Sequence, residues 1–174
     1  MRDGAAGADA GGASTAEFAL AAMEVLEPLA EKYGLFLAER TCWHLLFASG
    51  RRILDVACDP WTCWALGARV GMRDPDGPGS LVDGGHVPGG PGDGLRALSV
   101  QDVLHAVHGM RENAWPWIAA DSVELRQILR TLAVLLDRYC AELFLDDEAF
   151  ARAERLVLRA TAERRTFLRE FEEH

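Results

Sequence analysis

Lysine is almost missing from this chain. Lys32 stands alone among eighteen basic residues, and all the others are arginine. That usage, with the alanine and glycine content, points to a GC-rich bacterial genome. The motifs that usually betray an enzyme are missing too. There is no Gly-x-Ser-x-Gly elbow, no His-Glu-x-x-His pair and no lysine closing a glycine-rich run. These absences remove the usual sequence routes to a serine hydrolase, a zinc peptidase and a P-loop nucleotidase. No apolar run approaches the ~20 residues that a membrane-spanning helix needs, so no membrane association is expected. Positive charge is also short: 18 basic residues face 27 acidic ones, for a net charge of −9. Phosphate contacts dominate affinity for DNA and RNA, so nucleic acid is excluded as the main partner. An acidic surface instead favours a basic protein partner.

Cysteine is scarce, and its spacing argues against metal. The four are Cys42, Cys58, Cys63 and Cys140. None forms the Cys-x-x-Cys knuckle typical of zinc sites. Cys42, His44, Cys58 and Cys63 lie close in sequence, but strand alternation turns Cys58 away from the other three. The thiols are read as free and small-hydrophobe-like, with no metal and no cofactor. Met1 to Ser14 are mostly Gly, Ala and Asp. That composition predicts a disordered tail without an apolar signal region, and a cytoplasmic protein.

What is present reads as an α+β domain over residues 15–174. From Thr15 to Tyr33, Phe18, Ala22, Val25, Leu26, Leu29 and Tyr33 recur at helical spacing. Gly34 suits the C-cap. Pro28 would remove a hydrogen bond inside that helix at about 3 kcal/mol, which predicts a kink or two short helices. Leu35–Val70 then reads as a three-stranded antiparallel meander. The first strand is taken as Leu35–Ala48, with Trp43, Leu45 and Phe47 on one face and Cys42, His44 and Leu46 on the other. The second is Arg52–Cys58, with Leu54, Val56 and Cys58 opposite Ile53, Asp55 and Ala57. The third is Thr62–Val70. Ser49-Gly50-Arg51 and Asp59-Pro60 supply the turns. Leu54, Val56, Trp64 and Leu66 should be buried together.

Met72 to Ala97 is crowded with Gly and Pro and is read as a flexible insertion. Helix signals resume at Ser99, where Ser99 and Asp102 resemble a capping box. A long helix follows Asp121 or Ser122, with Leu125, Ile128, Leu129, Leu132, Leu135, Leu136, Tyr139 and Leu143 as its apolar stripe. Asp146-Asp147 begins a last, charge-dense helix. Two to three C-terminal helices should therefore pack on the sheet.

The order of these features resembles a set of small bacterial α+β proteins of unknown function. The resemblance rests on Tyr33-Gly34-Leu-Phe after the first helix, the Asp-Pro turn, Ser99-Val-Gln-Asp-Val-Leu, and Leu136-Asp-Arg-Tyr-Cys-Ala-Glu-Leu143. It spans about Phe18 to Val157. Some proteins of this build look like immunity proteins, which bind and neutralise a toxin, and the resemblance implies that kind of role. It transfers no catalytic residue.

Three functions compete at this level. The first is a non-enzymatic interaction protein, immunity-like or regulatory, with Asp59 and Trp61 as the contact. A tryptophan in a turn beside a carboxylate offers an apolar anchor and an orienting charge. The second is a small-molecule binder or enzyme with a site at His44 and Asp55, the best acid–base pair in the chain. His105 and His108, three apart on one helix, are a lesser candidate for a ligand. The third is self-association through the last helix to form a homo-oligomer.

Overall fold

The computed structural model describes residues 15–59, 65–73, 95–111 and 118–172. The chain is α+β. Helix α1 (Thr15–Lys32) leads into five strands: β1 (Phe36–Arg40), β2 (His44–Ser49), β3 (Arg52–Asp59), β4 (Ala65–Arg73) and β5 (Leu95–Ser99). Helices α2 (Val100–Ala106), α3 (Ser122–Leu135), α4 (Ala141–Leu145) and α5 (Asp147–Glu172) follow, and a π-helical turn, Leu136–Cys140, joins α3 to α4. The strands form one antiparallel sheet in the order β1-β2-β3-β4-β5.

The meander is therefore five-stranded, not three-stranded. The stretch expected as one first strand folds back on itself at Thr41–Trp43, so that Phe36 pairs with Ala48 and Arg40 with Leu45. The polar run Glu39-Arg40-Thr41 falls at that reversal. Thr41 N donates to His44 O at 2.8 Å and closes the turn. The fifth strand lies at the far end of the Gly/Pro-rich stretch. Its sequence, Leu-Arg-Ala-Leu-Ser, has none of the β-branched or aromatic residues that announce a strand. Its pairing with β4 gives Val70↔Leu98 and Met72↔Arg96. Residues 72–73 and 95–97 are thus strand rather than insertion. Residues 74–94, the N-terminal tail, Cys63, Trp64 and Trp61 lie outside the described residues.

Alternation along the strands sorts the two faces of the sheet. Leu45 and Phe47, Leu54, Val56 and Cys58, Leu66, Ala68 and Val70, and Leu98 are buried together on one face. Against them pack Phe18, Ala22 and Leu26 of α1, Leu104 of α2, Leu125 and Leu129 of α3, and Phe150 and Val157 of α5. The expected burial of Leu54, Val56 and Leu66 is met. The second face carries a smaller cluster, Ile53 and Leu95 with Leu46 and Ala48.

The helix ends follow from local chemistry. Gly34 takes φ +69°, and Leu35 N donates back to Ala30 O at 2.9 Å, the 6→1 bond of a Schellman cap. Asp121 caps α3 by accepting from Val123 N and Glu124 N at 2.9 and 2.8 Å. Ser99 forms no side-chain cap, because β5 runs directly into α2. Helix α1 is one element through Pro28, which sits on its exposed side, where water can take the carbonyl that proline leaves unpaired.

Ion pairs fasten α5 to the sheet. Arg52 and Arg51 both reach Asp147, and Arg96 pairs with Glu154 through two hydrogen bonds while its guanidinium lies 5.4 Å from the Phe150 ring centroid.

Two glycines of β4 test this packing. A Cβ on Gly71 would lie 2.6 Å from Ile53 Cγ1 and 2.9 Å from Arg96 O, a backbone atom of the paired strand that cannot swing away. A Cβ on Gly67 meets nothing within 4 Å. Gly71→Ala should cost about 1–3 kcal/mol through overpacking. Gly67→Ala should be neutral or stabilise by up to about 1 kcal/mol, since glycine loses the most backbone freedom on folding. Urea unfolding of the two variants checks the contrast.

Candidate functional site

The second face also holds the only two polar residues that are buried among the described residues, His44 and Asp55, at 9% and 6% exposure. Pairing of β2 with β3 sets Leu46 opposite Asp55 and His44 opposite Ala57. His44 and Asp55 are therefore diagonal neighbours on one face, within reach of each other. Their Nε2 and Oδ1 atoms are 2.8 Å apart. Across β2, the bulge between Leu37 and Glu39 brings Glu39 opposite Leu46, on the same face. Glu39 Oε1 lies 3.6 Å from His44 Nδ1. Each ring nitrogen of His44 thus faces a carboxylate.

The hydrogen bond to Asp55 raises the His44 pKa, burial opposes it, and the charges of Asp55 and Glu39 add to the rise. A neutral imidazole has one N–H and one bare lone pair, whereas the imidazolium presents an N–H to each carboxylate, so the two carboxylates favour the protonated ring.

A cleft of about 280 Å³ opens beside this pair, lined by Glu39, Thr41, Trp43, His44, Asp55, Ala57, Gly67 and Arg69. Trp43 is 48% exposed. The sequence placed it on the core face of a long strand. It stands instead in the β1–β2 turn, where alternation no longer holds. Its carbonyl accepts from Cys58 N at 2.8 Å, which seats the turn against the end of β3. Asp59, the last residue of β3, is exposed and shares the alternation of Asp55 and Ala57.

Of the residues singled out from sequence, His44 and Asp55 are brought together as expected, and both are buried. Asp59 is at the same end of the sheet. Trp61 lies outside the described residues. Trp43 was missed as a surface residue. The signal for it was Glu39-Arg40-Thr41, a polar run too long for the middle of a strand.

The other candidates disperse. His105 Nδ1–H donates to Met110 O and His108 Nε2–H to Tyr139 O, each at 2.9 Å, so the two rings serve separate carbonyls. Burial pushes the Cys58 thiol up to about 11 and the Cys140 thiol to about 12, which leaves both as unreactive thiols in the core. Cys58 lies among the helix-facing residues and His44 on the opposite face, as strand parity requires. Lys32 and Tyr33 both donate to Asp137 at 2.5 Å, and Tyr33 stacks on Phe144. These contacts tie the end of α1 to the π-helical turn.

Comparison with protein-family models, with characterised proteins and with solved structures finds no match.

The buried pair makes stability depend on pH. A histidine whose pKa is raised by folding contributes stability that is complete below its ordinary pKa of about 6.5 and is lost as pH rises through the raised value. Urea unfolding of the wild-type chain should therefore show a loss of stability over that window, and His44→Gln should not. Asp55→Ala, which leaves the ring buried without its partner, should cost about 1–3 kcal/mol.

Proposed function

We propose that this chain is a non-enzymatic binding protein that docks a basic protein partner at the end of the sheet formed by the β1–β2 turn and the end of β3. The observation that carries the proposal is Trp43, a half-exposed tryptophan at the rim of a preformed cleft whose histidine has a carboxylate facing each nitrogen. A general base needs a free ring nitrogen within reach of the substrate proton; Nε2 of His44 is hydrogen-bonded to Asp55, and Nδ1 faces Glu39 at 3.6 Å. A tryptophan beside carboxylates is suited to recognition. It presents a large apolar surface at little entropic cost and a π-face that attracts a guanidinium or ammonium group. Glu39 beside it and Asp59 at the strand end supply the opposite charge, and the net charge of −9 steers a basic partner toward the surface.

The cleft, at about 280 Å³, has room for one anchoring side chain of a larger partner. The resemblance to immunity proteins fits such a role, in which an acidic protein covers a basic one.

Immobilised wild-type chain, Trp43→Ala and Leu145→Ala can be compared for capture of a partner from the native host. Leu145 is a control, exposed in α4 on the helical side. A partner held by the wild type and by Leu145→Ala should lose about 1–2 kcal/mol or more of affinity for Trp43→Ala, with melting temperature unchanged. Equal affinity for all three proteins would place the contact elsewhere.

A further inference from the structure

His44 joins three strands on one face. It sits on β2, it meets Asp55 on β3 at 2.8 Å and Glu39 on β1 at 3.6 Å, and Arg69 of β4 lines the same cleft. The two contacts are unequal in strength. The Asp55 contact is a buried hydrogen bond. The Glu39 contact is longer and reaches a half-exposed side chain, so it rests on charge attraction more than on a directed bond. Loss of one proton from the imidazolium cannot be shared between them. The remaining N–H stays with Asp55, because that distance is a full hydrogen bond and the oxygen is buried. Nδ1 then turns a lone pair toward the Glu39 carboxylate, and attraction gives way to repulsion.

Glu39 belongs to the least secured strand. Every residue of β1 is exposed, Phe36 at 68%. The strand is five residues long, pairs on one side only, and is interrupted by a bulge next to Glu39. A short edge strand with few buried contacts opens at low free-energy cost.

We propose that the proton on His44 is a clip that holds β1 to the sheet through Glu39, so that its loss loosens the edge strand and frees the Glu39 carboxylate. If the docking surface proposed above is correct, the same proton regulates it, since a partner's cation and the imidazolium compete for Glu39. The raised pKa of His44 supports the clip by keeping the ring charged up to a pH above that of an ordinary histidine.

The test needs no partner. Amide hydrogen exchange of β1 and of β3 is followed in the full chain across the His44 titration, with rates corrected for the intrinsic pH dependence of exchange. Histidine ring ¹⁵N shifts report the titration itself. Protection in β1 should fall by about two- to fivefold as the ring deprotonates, the size expected of a partly exposed ion pair, while β3 holds. Glu39→Gln, at an exposed position that should not threaten folding, should remove that step and lower the midpoint of the His44 titration. The clip is overturned if β1 and β3 change together, or if Glu39→Gln keeps the step. Neither outcome bears on Trp43. A chain that passes this test and captures partner equally with Trp43→Ala would keep the clip and lose the docking surface.

Discussion

The register of the central strand decides what every other element can touch. β3 is paired with β4 over its whole length, from Arg52 opposite Met72 to Asp59 opposite Ala65, and with β2 from Arg52 opposite Ser49 to Ala57 opposite His44. A shift of one residue would turn each side chain to the other face. It would push Leu54, Val56 and Cys58 out of the helical core and put Asp55 into it, where an unpaired carboxylate costs several kcal/mol. The apolar residues therefore lock the register, and the locked register delivers Asp55 to His44. The polar pair depends on the hydrophobic pattern of the neighbouring positions, and its geometry is inherited from packing on the opposite face.

Much of this was legible in the chain. Asp55 between Leu54 and Val56 marks the two faces of Arg52–Cys58, so the faces of β3 and the meeting of His44 with Asp55 follow from it. Helices α1 and α3 were legible because their stripes are long and cap residues stand at their ends, Gly34 after α1 and Asp121 or Ser122 before α3, of which the structure uses Asp121. The failures have physical reasons as well. A run of fourteen residues rich in Leu, Phe and Trp reads as one strand unless the cost of continuing through Glu39-Arg40-Thr41 is weighed against turning there. Trp43 was then assigned by alternation across a turn, where alternation has no meaning. β5 was hidden because its strand character comes from β4 beside it. Gly71 is the trace of that pairing, since a side chain there would meet Arg96 O.

An exposed edge strand usually invites pairing with another chain, and proteins blunt such edges with shortness, charge and bulges. β1 has all three: five residues, a Glu-Arg ending and a bulge before Glu39. The same bulge aims Glu39 at His44. One local irregularity thus discourages edge-to-edge association and builds one side of the cleft. This weighs against a purely structural role through the sheet, and it gives the bulge a reason to exist beyond the turn it precedes.

Charge is divided along the sheet. At the end where β3 begins, the arginines Arg51, Arg52 and Arg96 are drawn to Asp147 and Glu154 and fasten α5 to the sheet. Those cations are committed to holding the helix. At the other end, where β3 finishes, the groups that gather are Glu39, Asp55 and Asp59, with His44 and Arg69 among them. The field at that end is set by charged groups of the strands themselves rather than by α5. The tryptophan stands in that field. The docking surface proposed for the end of β3 therefore lies at the end of the sheet away from the ion pairs that anchor α5.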